Sequence, residues 1–447
     1  MTRARTTPRR SLPALVSAAA IALSLTACGA DAGTGTEAAD PSKALETPTT
    51  LTFWSWVPNL DKTVALFEQK HPQIKVDIVN AGQSAAEYTK LQTAVKAGSG
   101  GPDLAQVEYF ALPEFALSKR LVNLEDYGAA DLRSKFTPSA WAQVAVGDGI
   151  YGIPQDTGPM VMFYNKKLLD SLQIEPPRTW AEFEAAAVKI KASDPKRFIT
   201  SIDPGDAGGL DSLMWQAGSR PFQQKDATSV AVDLQDPGAR KVADLWTSLV
   251  DRKLVDAAPG WTNEWWQSLG TGQYAMWITG AWAPGSLAGT IPDTAKDWRA
   301  APLPQWNAGD DVTSENGGSS VVVPTTSRHK AAAAAFATWL NSDPEAVRSL
   351  SANGLFPATT DLLKDPAFLD KPLESLGGQQ ANQVFAASSA SVGPGWQFLP
   401  YQVYANSVFK DTVGQSFGAG GLSSGLTAWQ NRISEYGSRQ GFKVTAP

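Results

Sequence analysis

Leu51-Thr-Phe-Trp-Ser-Trp56 begins the stretch that decides the fold. It is short, apolar and strand-like. Residues 61–70 then have helical spacing, with Val64 and Phe67 on one face, and His71-Pro72 stops them. Ile74-Lys-Val-Asp-Ile-Val79 alternates as a strand does. Residues 88–97 are helical and run out in Gly98-Ser-Gly-Gly-Pro102, and Asp103-Leu-Ala-Gln-Val-Glu108 is a third strand. Strand, helix, strand, helix, strand at this spacing predicts right-handed crossovers and a parallel sheet. Ligands of such sheets bind beyond the carboxyl ends of the strands. Those ends are Trp54-Ser-Trp56, Ala81-Gly-Gln-Ser84 and Glu108-Tyr109-Phe110.

The pattern continues downstream. A strand-like segment, 149–154, leads to another, Met160-Val-Met-Phe-Tyr-Asn165. Thr179 caps a helix with Glu182 three residues on, the pattern of a capping box. Residues 273–279 and Val321-Val-Val-Pro324 are strands, and 330–340 is a helix. The fold class is α/β. From Leu51 on, about 400 residues remain, too many for one hydrophobic core, and two domains are expected.

The chain starts with Arg3, Arg5, Arg9 and Arg10, then an apolar run to Ala27, then Cys28, its only cysteine. A basic start, a short apolar core and small residues before a break make a secretory signal. Leu25-Thr-Ala-Cys28 before Gly29 looks like a bacterial lipobox. That resemblance implies cleavage before Cys28 and attachment of lipid, including palmitate, to its sulfur. Arg9-Arg10 leaves general secretory and twin-arginine export both open. Residues 28–50 are small, polar and without apolar period, as in a flexible tether.

Composition excludes several functions. Removing the signal's four arginines from 38 basic residues leaves 34 against 44 acidic ones, and no basic cluster marks a nucleic-acid surface. There are two histidines, His71 and His329, both at helix boundaries. With one acylated cysteine they cannot build a Cys/His metal site, and no Asp-x-Asp-x-Asp-Gly calcium loop or phosphate-binding loop occurs. No metal or cofactor is expected. Gly421-Leu-Ser-Ser-Gly425 imitates a hydrolase elbow, but no histidine follows it. The chain has 16 tryptophans, suited to the apolar C–H faces of sugar rings.

The ordered marks Leu51-Thr-Phe-Trp54, Phe67-Glu-Gln-Lys-His-Pro72, Gly101-Pro-Asp103, Tyr151-Gly-Ile-Pro154, Tyr164-Asn-Lys166 and Thr179-Trp-Ala-Glu-Phe183 are followed by Gly272-Gln-Tyr-Ala-Met-Trp-Ile-Thr-Gly-Ala-Trp282. Ala301-Pro-Leu-Pro304, Gly317-Gly318 and Phe336-Ala-Thr-Trp-Leu340 close the series. In this order they resemble the extracellular solute-binding proteins of bacterial ABC importers, the family that contains maltose-binding protein. The resemblance implies a two-lobed, periplasmic-binding-protein-like (Venus-flytrap) fold with the ligand cleft between the lobes. It implies a first lobe of 51–155 with 318–353 and a second of 156–317 with 354–447, hinged at Gly158-Pro159, Gly317-Gly318 and 354–357. It further implies a monomer that is no enzyme, anchored to the outer face of the cell membrane through Cys28. That monomer binds a carbohydrate, a di- or oligosaccharide, and hands it to ABC permease subunits.

A sugar site needs aromatic plates and charged acceptors for hydroxyls. Trp282 lies where the family has a stacking tryptophan, Asp156 where relatives have a cleft carboxylate, and Trp396 where they have a late aromatic contact. The strand ends contribute Glu108, Tyr109, Gln83 and Ser84. They also contribute Trp54 and Trp56, which as alternate residues of one strand share a face. Trp215, Trp261 and Trp266 compete for a remaining place, with Trp265 assigned to the core. Gly317 and Gly318 would let backbone amides approach the ligand, or serve the hinge. Trp180, Trp246 and Trp339 are helix packing. A polyamine or polyol receptor of the same fold stays open, as does a secreted glycoside hydrolase that uses paired carboxylates.

Overall fold

The computed structural model describes residues 40–418 and 420–445. Cys28 and the signal lie outside the described residues. Strands β1 (Thr49–Trp54), β2 (Ile74–Val79) and β3 (Leu104–Glu108) alternate with helices Leu60–Lys70 and Ala85–Ala97. β1 pairs in parallel with both β2 and β3, as the alternation predicts. Every second side chain of β1 is buried at Leu51 and Phe53, which sets the register against the helices. Order starts earlier than Leu51. Asp40 caps the turn Pro41–Ala44, and Ala44 and Leu45 pack on the first core, so residues 40–50 are not tether.

One strand changes the expected picture most. Residues 149–154 divide, Gly149–Ile150 pairing with Ala145–Val146 while 153 and 154 join 160–165 in one strand. β4 runs unbroken from Ile153 to Asn165. Its first half pairs antiparallel with β7 (Glu315–Val322), which also pairs antiparallel with β3. Its second half pairs with β5 (Met276–Gly280) and β6 (Trp298–Pro302). The sheet order is β5-β4-β7-β3-β1-β2, so the sheet is mixed where the alternation alone predicts a parallel one. Gly158-Pro159 lies mid-strand, at a register shift in the β4–β7 ladder. The pair, expected as a hinge segment, marks a bulge, where proline's missing N–H and glycine's missing Cβ are tolerated.

Two large cores flank this crossing. The first joins 51–153 with 321–358 and the second joins 160–303 with 396–433. A third cluster, around Phe163, Trp277 and Phe385, packs beside the second strand-half of β4. The chain passes between the first two cores in three adjacent segments. Thr157 N donates to Phe356 O (3.0 Å), and Gly318 and Ser319 pair with Thr157 and Asp156. Trp180 and Trp246 are buried together, with ring centroids 6.1 Å apart, and Trp339 packs on Phe67. Those three are packing residues, as expected. Thr179 Oγ1 accepts from Glu182 N, but the Glu182 carboxylate accepts from Arg178 N, one residue before the cap. Among the described residues no helix is long and apolar enough to cross a membrane.

Candidate functional site

A cleft of about 280 Å³ opens between the first two cores. The first core contributes Ser84, Glu108, Tyr109 and Phe110; the second contributes Asp206, Asp211, Trp215, Trp396, Phe398 and Asn406. The crossing contributes Glu315 to Gly318. Carboxylates and aromatics dominate, and among the described residues no lysine, arginine or histidine lines the cleft.

Each acid is held by the element that carries it. Glu108 ends β3, and its Oε2 accepts from the Tyr88 hydroxyl (2.8 Å), which in turn accepts from Glu108 N (3.0 Å). Burial pushes the Glu108 carboxyl up, while the Ser84 and Tyr88 hydroxyls pull it down. Glu315 opens β7. Its Oε1 accepts from Ser139 Oγ (2.8 Å), and its Oε2 is buried with no partner. Asp211 sits in helix Ala207–Gln216, four residues before Trp215. Its Oδ2 accepts from Gln402 Nε2 (3.2 Å), and its Oδ1 is buried with no partner. Burial, then the neighbouring Asp206, lifts the Asp211 carboxyl well above its usual range. Beneath the cleft, Asp156 Oδ1 accepts from Ser319 N (2.7 Å), and its carbonyl accepts from the Tyr109 hydroxyl (2.9 Å).

Burial dominates the electrostatics. It pushes Asp156 and Glu315 up to about 7 and Glu87 up to about 8. Like charge adds to this: Glu108 acts on Asp156 and Glu87, and Asp156 acts on Glu315. Of these acids Glu87 alone has a cation acting on it, Lys90, which pulls it only partly back. Such carboxyls hold their protons in the folded chain at a pH where the unfolded chain has lost them. The folded form then binds more protons, so stability falls as pH rises from the ordinary carboxyl range toward 8. The ligand-free protein is expected to melt higher at pH 5 than at pH 8. Glu87, fully buried with both oxygens unpartnered, tests the sign. Glu87→Gln should raise the melting midpoint at pH 8 and leave pH 5 nearly unchanged. A parent protein equally stable at both pH values would contradict this.

The aromatic side is preassembled. Trp215 and Trp396 stack with centroids 5.3 Å apart and planes 6° off parallel, and Trp215 Nε1 donates to Gly393 O (2.6 Å). Gly317 and Gly318 have φ of +91° and +100°, where side chains are strained. A Cβ on Gly318 would lie 2.6 Å from the Tyr109 ring, so glycine lets the crossing close on that ring.

The cleft thus gathers Ser84, Glu108, Tyr109, Trp215, Gly317, Gly318 and Trp396, with Asp156 just behind. Other expected residues lie elsewhere. β1 ends at Trp54, and Gln106 Oε1 then binds Ser55 Oγ and Trp56 N. Burial still alternates through Val57, so Trp54 and Trp56 are both half-buried, Trp56 meets Tyr88 edge to face, and neither tryptophan lines the cleft. Gln83 is exposed and away from it. Trp282 donates its indole N–H to Asn316 O (2.8 Å), and one face stacks on Trp261 at 5.7 Å. The two belong to a tryptophan nest with Trp265, Trp266 and Trp277 beside the crossing. Trp261, 55% exposed, lines a small neighbouring cavity that shares Asp206 with the cleft. Asp211, Glu315, Phe110, Phe398 and Asn406 are cleft residues that the sequence reading missed. Asp211 had one legible sign, its place four residues before Trp215 among Leu210, Leu213 and Met214.

A cleft between two α/β cores, crossed by three chain segments and lined by acceptors and aromatics, is built to bind. Residues 52–347 match the family described as bacterial extracellular solute-binding protein. The chain belongs to this family. The fold of this solute-binding protein is accordingly the two-lobed α/β arrangement, and the protein works outside the cytoplasm. It is similar to the ABC-transporter-associated binding protein of B. animalis subsp. lactis Bl-04, solved with β-1,6-galactobiose. Identity is 36%, coverage is 89% of this chain and 99% of that one, and the TM-score is 0.79. The galacto-N-biose-/lacto-N-biose I-binding protein of Bifidobacterium longum, solved with lacto-N-biose, is 28% identical, with 89% and 98% covered and a TM-score of 0.79. An arabinooligosaccharide-binding protein of Halalkalibacterium halodurans is 24% identical over 336 residues, 72% of this chain and 74% of that one. All three are described as binding proteins.

Proposed function

We propose that this solute-binding protein is the receptor of an ABC importer and captures a short saccharide, a di- or oligosaccharide, in the cleft between its cores. The observation that carries the reading is the pairing of unpartnered acid oxygens, on Asp211 and Glu315, with the Trp215–Trp396 stack. The oxygens need partners, which sugar hydroxyls supply, and a carboxyl that keeps its proton both donates to and accepts from a hydroxyl. The carbohydrates named for the relatives agree with this. Ser84, Glu108, Tyr109, Trp215, Gly317, Gly318 and Trp396 form the binding set, with Asp211, Glu315 and Asn406 added. Asp156 positions the crossing through Ser319. Trp282 and Trp261 act from beside the cleft, Trp282 by holding Asn316.

The two cores support lobes of 51–155 with 318–353 and 156–317 with 354–447, except that Ala358 packs in the first core. A ligand that binds the closed form better shifts the population toward it, and the closed form docks on the permease. Nothing is turned over. The protein acts as a monomer tethered through Cys28, and Cys28→Ser would release it from the membrane fraction.

The test is a thermal-shift panel on residues 40–447 with mono-, di- and oligosaccharides, polyols and spermidine. A ligand at about 100 times its dissociation constant adds about 2.7 kcal/mol of stability. One saccharide class is expected to raise the midpoint by several degrees and to be recovered intact. A shift with spermidine alone would move the acids to cation binding. Silence across the panel, or cleavage of the bound sugar, would overturn the reading.

A further inference from the structure

We propose that the Phe110–Phe398 pair is the end wall of the cleft and sets the length of saccharide it admits. This rests on the carbohydrate reading above. Phe110 lies two residues past Glu108, and Phe398 two past Trp396, so each ring neighbours a binding residue of its own core. The rings meet edge to face across the cleft, centroids 6.5 Å apart and planes at 72°, and both line it. Among the described residues, Phe398 is the one partly buried hydrophobic side chain packed against both the first and second cores. The contact therefore joins the two sides of the cleft.

Each ring is braced by a residue of its own core. Tyr88, which holds Glu108, braces Phe110 at 6.1 Å and 74°. Trp396, which stacks on Trp215, braces Phe398 at 6.0 Å and 80°. The groups that would grip a sugar thus also fix the wall. Phenyl rings offer no partner to a hydroxyl. A sugar unit pushed past them would bury hydroxyls unpaired, and that cost falls only on chains long enough to reach the wall. The cleft's 280 Å³ fits a short ligand, since ligand pockets run from ~300 to 1,000 Å³.

The experiment is calorimetric titration of galacto-, gluco- and arabino-saccharides of one to five residues into the parent, Phe398→Ala and Phe110→Leu. The parent is expected to bind one series with a sharp loss of affinity past a set length. Phe398→Ala should move that cut by at least one residue, changing the long-to-short affinity ratio about tenfold or more. Phe110→Leu, a smaller change from the opposite core, should move it the same way and keeps the test alive if Phe398→Ala does not fold. Equal weakening at every length would make the pair a simple latch and overturn the wall. So would an unchanged length profile, or a parent with no length cut. A parent silent toward all three series overturns the carbohydrate reading and the wall with it, whereas binding without a shifted profile overturns the wall alone.

Discussion

Asp211→Asn is expected to raise the stability of the ligand-free protein while weakening saccharide binding about ten- to hundredfold. The two effects have one cause. Asp211 is 3% exposed, one oxygen has no partner, and its carboxyl is lifted by burial and by Asp206. A buried acid without a counter-ion opposes folding, increasingly so as pH rises above the ordinary carboxyl range. Asparagine keeps the shape and can still accept from Gln402, but carries no charge to desolvate. The stability gain should be largest near pH 8 and should vanish near pH 4. In the complex the sign reverses, because a buried ligand hydroxyl left without its carboxyl partner costs ~1–3 kcal/mol. Urea unfolding and calorimetric titration on the same samples check both halves. If stability and affinity fell together, Asp211 would be a structural acid and not a ligand acceptor.

Gly158→Ala should damage the molecule more broadly. A Cβ there would stand 1.9 Å from the carbonyl oxygen of Asn316 and 2.8 Å from its carbon. Both are backbone atoms of the neighbouring crossing segment, which cannot rotate out of the way as a side chain could. β4 and β7 must separate where Asn316 to Gly318 line the cleft. Overpacking of this kind costs ~3 kcal/mol or more, and the midpoint is expected to fall by about 5–10 °C together with ligand affinity. Gly285→Ala is the matched control. It lies in helix Ala283–Thr290 with nothing within 4 Å of the added carbon, and it should be neutral or slightly stabilising. Equal melting of the two variants would show that the crossing is looser than its geometry.

How legible each part was depended on the range of the interaction that fixes it. β1, β2 and β3 follow from alternation within a few residues, and the helices between them from apolar spacing and His71-Pro72. β4 did not, because Gly158 and Pro159 interrupt the local strand pattern and are kept in the strand by partners 156 and more residues away in sequence. The strand-end rule found Ser84, Glu108 and Tyr109, since topology alone brings those ends together. It did not extend to Trp54 and Trp56, which share a half-buried face but do not line the cleft. Asp211 and Glu315 were hidden for a different reason. An acid on a helix or at a strand start normally faces water, and only tertiary packing shows that these two do not. Spacing also cannot give ring orientation, so it could not show that Trp282 turns its N–H to Asn316 and one face to Trp261.

The most direct test of the account is a crystal structure of residues 40–447 with the saccharide that gives the largest thermal shift. The account predicts one sugar in the 280 Å³ cleft, with hydroxyls on the carboxylates of Asp211 and Glu315 and its far end against Phe110 and Phe398. A second cavity, about 420 Å³, lies beside the 354–356 segment and presents Arg348 and Lys371. Sugar found there, with the acid-lined cleft empty, would contradict the account.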